Sequence, residues 1–337
     1  MPDPADEFNA ADDDAPDIET RACTLDAASH GQRLDKALVA LAPEFSRSHL
    51  QTLIAGGHVR LDDVAAAPAS RKVRAGQRLE VDLVPTAESL AYRPQPMPLS
   101  VLYEDDHLLV LDKPAGLVVH PAPGNWSGTL LNALLARDPA AASLPRAGIV
   151  HRLDKDTSGV MMVGRSLQAV TALVRDLGAR EVRRRYLALV HGDVGPRPFS
   201  IDAPIGRDPA SRVRMAVVAG GKAARTDVDP VALREGVSAL RCSLHTGRTH
   251  QIRVHLAHRG HPLLADSLYG GRPALGLTRQ ALHAAHLSLA HPIDRRPLAF
   301  DAPAPPDFEV AWREVTGAPA RWEPAQGTSG LGVQSRF

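Results

Sequence analysis

A polar stretch in the middle of the chain lies between two apolar runs. Residues 151–159 read HRLDKDTSG, Ile149-Val150 precedes them, and Val160-Met161-Met162-Val163 follows. Apolar runs bounded by turn residues predict two buried strands with a polar turn between them. Such a frame directs the Asp154 carboxylate outward. Asp, Thr, Ser and Gly also gather in turns because their side chains bond the neighbouring backbone, so a purely structural interpretation stays open on this pattern.

The N-terminal part has the pattern of a small α+β module. Leucines recur on one face of a predicted helix over 33–42. Ser46 caps a second predicted helix, and the alternation over 58–61 predicts a strand. Four prolines between 85 and 98 then indicate a stiff, extended linker.

Beyond the linker, short strands alternate with amphipathic helices. The predicted strands are 100–103, 108–111, 160–163, 186–190, 239–244 and one that begins at 281, and the predicted helices are 129–137, 167–177, 249–259 and 306–315. Thr249 is the predicted cap of the third of these helices, which places Arg248 just before a helix start, a position that suits an anion. The pattern predicts a second, larger domain.

Composition changes this picture in one respect, which is charge. The chain has 337 residues and a formal net charge of +1, but its first 20 residues hold eight acidic and no basic side chains. The 39 basic residues therefore share 21–337 with 30 acidic ones, a net charge of +9. Only five of the basic residues are lysine, and guanidinium groups suit bidentate contacts with nucleic acid. A genomic bias toward arginine and alanine explains the same excess.

The sequence carries no targeting or membrane signal. It has no apolar run of about 18 residues and no basic start followed by an apolar stretch, so a cytoplasmic protein is expected. Cys23 and Cys242 lie far apart and form no metal-ligand spacing. Five histidines fall between 245 and 261, but without a His-Glu-x-x-His pattern or a cysteine ligand they predict packing or phosphate contact rather than a metal site.

The order of residues in the polar stretch resembles the signature loop of the RluA-type pseudouridine synthases. Three further motifs follow that family in the right order: YEDDHLLVLDKPAGLVVHPAPGN from 103, RRYLALVHG from 184, and GRTHQIRVH from 247 with GHPLLADSLYGG from 260. The resemblance extends from residue 31 to about residue 316. It implies a domain built on a mixed, largely antiparallel β-sheet with flanking helices.

The resemblance also assigns roles to individual residues. It implies that Asp154 is the catalytic carboxylate, that Tyr186 is the active-site tyrosine, and that Arg248 pairs with Asp154. The implied substrate contacts are Arg152, which enters the space of an extruded base, Arg184, Leu282 as part of the uracil pocket, and Lys155 on a flanking phosphate. His120 is interpreted as a wall residue, because the family gives it no established chemical role.

The N-terminal module resembles the S4 RNA-binding domain. The matching segment reads GQRLDKAL from 31 and FSRSHLQTLIAGGHVRLDD from 45. In that family the second helix faces RNA, which implies contacts from Arg47, His49 and Gln51. A solvated polar helix face is the alternative for these three residues.

Together the patterns and resemblances predict an α+β protein with five segments. These are a disordered acidic tail over 1–20, an S4-like module over 21–84, a linker over 85–98, a pseudouridine synthase domain over 99–317 and a flexible tail over 318–337. The expected protein is a monomer without metal or other cofactor.

The expected function is the isomerisation of uridine to pseudouridine in large subunit ribosomal RNA or its precursor particles, in the loop of helix 69. Three roles of Asp154 stay open: attack on the sugar, attack on the base, or removal of a ribose proton. A non-catalytic RNA-binding or assembly factor is the competing hypothesis. Glycoside hydrolysis by Asp154 and Asp156 is disfavoured, because two carboxylates this close in a tight turn do not converge on one bond.

Overall fold

The computed structural model describes residues 19–84, 91–122, 124–211 and 213–323. The chain divides into two compact units, Met1–Ala91 and Tyr92–Phe337. Most of the predicted acidic tail, part of the predicted linker (85–90) and residues 324–337 of the predicted C-terminal tail lie outside the described residues.

The first unit is a four-stranded antiparallel sheet covered by two helices. Its strands are β1 (Glu19–Thr24), β2 (Val59–Leu61), β3 (Val64–Ala65) and β4 (Arg78–Leu83), and its helices are α1 (Leu34–Leu41) and α2 (Arg47–Ala55). The strand order is β1-β4-β2-β3. Ser46 caps α2 as predicted, because its hydroxyl accepts the backbone N–H of His49. Leucines of both helices pack against the sheet, which forms the core of this unit.

The second unit has eleven strands among its described residues, and nine of them form one mixed sheet. Its described strands are β5 (Ser100–Glu104), β6 (Leu108–Lys113), β7 (Ser158–Gly164), β8 (Arg183–His191), β9 (Phe199–Asp202), β10 (Ile205–Arg207), β11 (Met215–Val217), β12 (Arg225–Arg234), β13 (Val237–Leu244), β14 (Leu282–Ala290) and β15 (Pro297–Asp301). The helices are α3 (Leu130–Arg137), α4 (Leu167–Gly178), α5 (Gln251–His258) and α6 (Pro306–Thr316).

The sheet is mixed because one pair of its neighbouring strands is parallel. The order is β5-β6-β7-β14-β8-β13-β12-β9, with β15 also paired to β14, while β10 and β11 form a separate hairpin. Among the described strands only β7 and β14 pair in parallel, and all other pairs are antiparallel. The predicted α+β class with a mixed, largely antiparallel sheet is therefore confirmed.

The polar stretch 151–159 leads into β7, an internal strand of this sheet. All seven residues of β7 are buried, as the apolar run after the stretch predicted. The strand predicted before it is wrong: residues 145–148 form a 3₁₀ turn, and Ile149 makes only an isolated bridge to Val163. Gly148 lies against the backbone of Gly164, and a Cβ at this position would come within 1.9 Å of the Gly164 carbonyl oxygen.

Helix α6 closes the unit. Phe308 and Trp312 are buried in it as the pattern predicted. The packed chain continues beyond the predicted end at 317, because Ala320 is buried and its N–H donates to Glu309 at 2.9 Å. In the part of the chain that the structure describes, the helices are all too short to cross a membrane.

Gly159, which joins the polar loop to β7, provides a test of this packing. A Cβ at this position would lie 2.2 Å from the Ala284 carbonyl oxygen on the parallel neighbour β14, and its φ of +114° disfavours other residues. We expect Gly159→Ala to lower the free energy of unfolding by about 3 kcal/mol or more, measured by urea denaturation. Gly260→Ala is the matched control, because Gly260 also has a positive φ but has open space around its Cβ. It should cost only about 1 kcal/mol, and equal losses in the two variants would contradict the packing argument.

Candidate active site

Two cations hold the backbone of the loop that carries Asp154. Lys113 donates from Nζ to three carbonyl oxygens, one of them that of Lys155 at 3.0 Å. Arg279 donates to the carbonyl oxygen of Asp156 at 2.9 Å. Burial lowers the pKa of Lys113 to about 8, and the negative charges of Asp154 and Asp156 oppose that shift. The Gly116 N–H also donates to the Lys155 carbonyl oxygen, at 2.9 Å, so three donors tie the loop backbone to the rest of the unit.

The Asp154 carboxylate is one end of a buried ion triad. Arg253 on α5 donates from Nη1 to Asp154 Oδ2 at 3.0 Å. The same guanidinium makes a bidentate pair with Asp266, through Nε at 2.8 Å and Nη2 at 2.9 Å. The Asp266 side chain is 1% exposed, that of Arg253 8%, and that of Asp154 15%. The triad therefore runs from the protein interior to the surface of a cavity and ends on Asp154.

The two carboxylates of the triad determine the direction of the pKa shift of Arg253. Burial by itself would lower the pKa of this guanidinium. The hydrogen bonds and negative charges of Asp266 and Asp154 outweigh burial, and the pKa of Arg253 is raised. Arg253 is thus positively charged at every pH at which the protein is folded.

The predicted pairing of Arg248 with Asp154 is wrong. Arg248 lies in the exposed turn before α5, and its Nε donates to the carbonyl oxygen of Ala223 at 3.1 Å. Arg253 takes the predicted role because it lies inside α5, on the face that packs toward the loop. The predicted cap of this helix is also displaced by one residue: the N-cap is His250, in a left-handed conformation, instead of Thr249.

Tyr186 is buried in β8, 6% exposed, and lines the same cavity as Asp154. Burial raises its pKa to about 12; Arg184 opposes this shift, and the charge of Asp154 adds to it. The hydroxyl is therefore protonated near neutral pH.

The cavity has a volume of about 450 Å³. Six of the residues predicted for this domain line it: Asp154, Tyr186, Arg248, Arg152, Arg184 and Leu282. Lys155, the seventh, is not among the lining residues; its side chain is exposed, and its carbonyl oxygen belongs to the Lys113 contacts described above. The volume suits one flipped nucleotide base with part of its sugar.

Arginines dominate the charge of this cavity. Asp154 is the only acidic lining residue. No carboxylate of the described residues lies within ion-pair distance of the five lining arginines, which are Arg146, Arg152, Arg180, Arg184 and Arg248. Unpaired guanidinium groups around a concave site favour a ligand with several negative charges.

Two histidines form part of the wall in their neutral form. The His151 ring accepts the backbone N–H of Met162 at Nε2, and burial together with Arg184 lowers its pKa to about 3. Burial, Arg152 and Arg146 lower the pKa of His120 to about 4. His120 lines the cavity, in agreement with its interpretation as a wall residue.

In the first unit, the three predicted RNA contacts are engaged within the protein. Arg47 and Gln51 both donate to Asp35, a fully buried carboxylate, at 3.0 and 2.7 Å. The His49 ring packs on Phe45 with 5.2 Å between centroids. The Arg47 side chain remains 54% exposed, so an RNA contact by this residue stays a prediction.

Sequence reasoning missed four residues near Asp154, namely Arg253, Asp266, His250 and Tyr269. All four lie in the two motifs that were recognised, but the motif alone does not say which arginine faces the loop. A usable signal was present, because Arg253 stands among Ile252, Val254 and Leu256 on a helix that the pattern buries. A charged residue in such surroundings needs a buried partner.

The histidine cluster does not form a metal site. Within the ranges that the structure describes, there is no group of three or more His, Cys, Asp or Glu side chains arranged to hold a metal ion.

Comparison with known proteins identifies two matching family models. Residues 107–258 match the model described as RNA pseudouridylate synthase, and residues 32–79 match the S4 domain.

Relatives are similar over most of their length. A protein of Xanthomonas campestris pv. campestris named ribosomal large subunit pseudouridine synthase D is 48% identical over 306 residues, which cover 87% of this chain and 92% of the relative. A protein of the same name from Nitrosomonas europaea is 46% identical over 297 residues, 86% of either chain. Among solved structures, human RNA pseudouridylate synthase domain containing 1 matches with a TM-score of 0.51 and 28% identity, over 69% of this chain and 94% of that one.

The triad predicts that Arg253 and Arg248, five positions apart, differ strongly in how much their replacement lowers the free energy of unfolding. Arg253→Met leaves Asp266 buried and unpaired, so we expect it to lower the free energy of unfolding by about 3–5 kcal/mol. Arg248→Met removes an exposed side chain with one backbone contact and should cost less than about 1 kcal/mol. Urea denaturation of both variants measures the difference, and similar values would contradict the assignment of the buried ion pair to Arg253.

Proposed function

The chain belongs to the RNA pseudouridylate synthases, a family of isomerases, and from that membership we propose that it converts uridines of large subunit ribosomal RNA to pseudouridine. The observation that carries this proposal is a single carboxylate, Asp154, held by Arg253 at the wall of a base-sized, arginine-lined cavity that also contains Tyr186. The names of the relatives support the ribosomal substrate. The resemblance of the motifs motivates the finer proposal that the target lies in the loop of helix 69.

The reaction is an isomerisation in which the base is detached and rejoined. The bond between C1′ and N1 of uridine breaks, the freed uracil rotates, and a bond forms between C1′ and C5. C5 loses a proton and N1 gains one, so there is no net redox change and no water is consumed. The reaction requires groups that hold charge and move a proton, which the side chains of this cavity supply.

We propose Asp154 as the catalytic carboxylate. A carboxylate acts as nucleophile or base only in its charged form, and Arg253 pairs with that form at 3.0 Å. Arg253 uses its other nitrogens on Asp266, so its position does not change when Asp154 engages the substrate. The attack on the sugar, the attack on the base and the removal of a ribose proton are each compatible with this arrangement.

Tyr186 and Leu282 are proposed to enclose the detached uracil. The Tyr186 ring offers a stacking face, and burial holds its hydroxyl in the protonated form. In that form the hydroxyl takes up the C5 proton only if it passes its own proton on. Leu282 at the start of β14 supplies an apolar wall that prevents the free base from leaving.

The unpaired arginines are proposed to hold the RNA. A uridine in a stem-loop must leave its stack to reach the cavity, at about a few kcal/mol. Arg152 lies on the exposed side of the loop and is proposed to enter the vacated space. Arg184 and Arg248, with Lys155 outside the cavity, are proposed to contact the flanking phosphates.

Substitution of the loop carboxylates tests the catalytic assignment. Asp154→Asn keeps the size of the side chain but removes its charge, so we expect turnover to fall at least about 10³-fold, some 4 kcal/mol in barrier, with RNA affinity retained. Asp156→Asn is the matched control in the same loop and should stay within about threefold of the parent, because Asp156 does not line the cavity. Turnover is measured as tritium release from ribosomal RNA labelled at C5 of uridine. Near-normal turnover of Asp154→Asn would remove this carboxylate from the mechanism.

Incubation of unmodified ribosomal RNA with the protein alone tests the function itself. Pseudouridine is then mapped by a carbodiimide adduct and primer extension, which also identifies the modified positions. Modification in the helix 69 loop is the expected result. Binding without any modification would instead support a non-catalytic assembly factor.

The S4 module predicts a change in salt dependence. Arg71 and Lys72 are exposed and lie beside α1 through the hydrogen bond from Leu34 N–H to the Arg71 carbonyl oxygen. No carboxylate of the described residues is within ion-pair distance of either side chain. If each contacts a phosphate, replacing both by glutamine should reduce the slope of log affinity against log salt by about 1.4. Arg78→Gln is the control, because Arg78 is paired with Asp63 and Glu80. Filter binding to a ribosomal RNA fragment measures the slopes, and an unchanged slope in the double variant would argue against RNA contact there.

A further inference from the structure

Two side chains next to Asp154 have no role in the function proposed above. His250 precedes α5, and its Nε2 lies 3.9 Å from Asp154 Oδ1, the oxygen that Arg253 leaves free. Its other ring nitrogen, Nδ1, lies 2.9 Å from the Tyr269 hydroxyl. The His250 ring therefore lies between the Tyr269 hydroxyl, with which it shares a hydrogen bond, and the Asp154 carboxylate, which it approaches beyond hydrogen-bond distance.

The hydrogen-bond partners of Tyr269 indicate which nitrogen of His250 carries the ring proton. The Tyr269 oxygen accepts the backbone N–H of Met215, at 3.0 Å, from strand β11. The hydroxyl proton is then free to be donated, and His250 Nδ1 is the one acceptor that the described residues offer it. If Nδ1 accepts, the neutral ring carries its proton on Nε2, which faces the Asp154 carboxylate. The opposite tautomer would direct a lone pair at that carboxylate and is electrostatically unfavourable.

The groups around His250 keep the ring neutral. Burial lowers its pKa. Asp154 and Asp266 oppose this effect, whereas the positive charges of Arg253 and Arg152 add to it. The ring is thus a neutral donor in the pH range near and above neutrality.

Tyr269 also supports the other partner of Asp154. The guanidinium carbon of Arg253 lies 5.1 Å from the centre of its ring, and that of Arg214 lies 5.4 Å from it. The His250 ring meets it edge to face, with 5.7 Å between centroids. The buried Tyr269 thus contacts both groups that approach the Asp154 carboxylate, Arg253 through its ring and His250 through its ring and hydroxyl.

We propose that His250 and Tyr269 are positioning residues for Asp154. Tyr269 donates to His250 Nδ1 and thereby fixes the tautomer in which Nε2–H is directed at Asp154 Oδ1, while its ring supports the guanidinium on Oδ2. Arg253 then orients Oδ2 through a hydrogen bond, and His250 orients Oδ1 from a longer distance. Oδ1 is thereby left available to react. This inference rests on the proposed function, because it concerns the same carboxylate.

Two substitutions of His250 distinguish the roles of its two ring nitrogens. Gln places a donor near the position of Nε2, whereas Asn reaches only the position of Nδ1. We expect His250→Asn to lower the turnover number at saturating RNA at least tenfold with the dissociation constant for RNA within twofold of the parent. His250→Gln should retain at least a third of the turnover. Asn tolerates the left-handed backbone of residue 250 better than Gln, so backbone strain predicts the opposite order.

Substitution of Tyr269 tests the second step. Tyr269→Phe keeps the ring and removes the hydroxyl, and should lower turnover at least tenfold in the parent but much less in the His250→Gln background, where no tautomer has to be fixed. Tyr103→Phe is the control, because that hydroxyl bonds Asp105 elsewhere in the unit, and it should leave turnover within twofold. Equal losses for the Asn and Gln variants of His250, or additive losses with Tyr269→Phe, would overturn the proposal.

A readout that does not depend on activity distinguishes this proposal from the proposed function. In a long-range ¹⁵N spectrum of histidine-labelled protein, the signal that disappears in His250→Gln should show the tautomer protonated at Nε2, and Tyr269→Phe should shift it toward a mixture. A tautomer protonated at Nδ1 would overturn the relay. If the parent forms no pseudouridine in any ribosomal RNA, the proposed function fails, while the spectrum still decides the orientation of His250.

Discussion

The arrangement of the larger unit depends on one guanidinium shared by two carboxylates. Arg253 is nearly inaccessible to water, so it must be paired, and the fully buried Asp266 satisfies two of its nitrogens. The remaining nitrogen is then directed at Asp154, on a loop from another part of the chain. The buried half of the triad leaves neither of its charges unpaired, and the half at the cavity presents the carboxylate that we propose as the catalytic group. A carboxylate fixed in this way does not have to be reoriented when a substrate arrives.

The loop that carries Asp154 is as constrained as its partner. It begins close to the backbone of β7 and ends where Gly159 passes against β14, so strands frame it. Lys113 and Arg279 bind its carbonyl oxygens, which are groups that a loop ordinarily exposes to water. Cationic side chains thus serve two purposes in this unit: some bind backbone carbonyl oxygens of the loop or buried carboxylates, whereas the arginines around the cavity have no carboxylate within ion-pair distance among the described residues. The difference in pairing separates structural arginines from those available to an anionic ligand.

Several parts of this organisation were predictable from local pattern. The cap at Ser46, the helix that contains Phe308 and Trp312, and the buried run after the polar loop all depend on residues close in sequence, and each was confirmed. The strand predicted from Ile149-Val150 failed, because two apolar residues do not outweigh a neighbouring 3₁₀ turn. Six of the seven catalytic and substrate-contact residues predicted for the larger unit line one cavity, and the predicted wall residue His120 lines it too.

The sequence by itself determined the α+β class of the fold, the motifs that each unit carries and the position of Asp154 in a polar loop before a buried strand. Only the tertiary structure decided that Arg253 rather than Arg248 meets Asp154, a contact between residues 99 positions apart. The hydrophobic periodicity of the sequence indicates which side chains share a face of α5, but it does not indicate which loop packs against that face. In the same way, only the folded first unit showed that Arg47 and Gln51 satisfy the buried Asp35. Pairing of charges is set by distance in space and by burial, and neither quantity is encoded in the spacing along the chain.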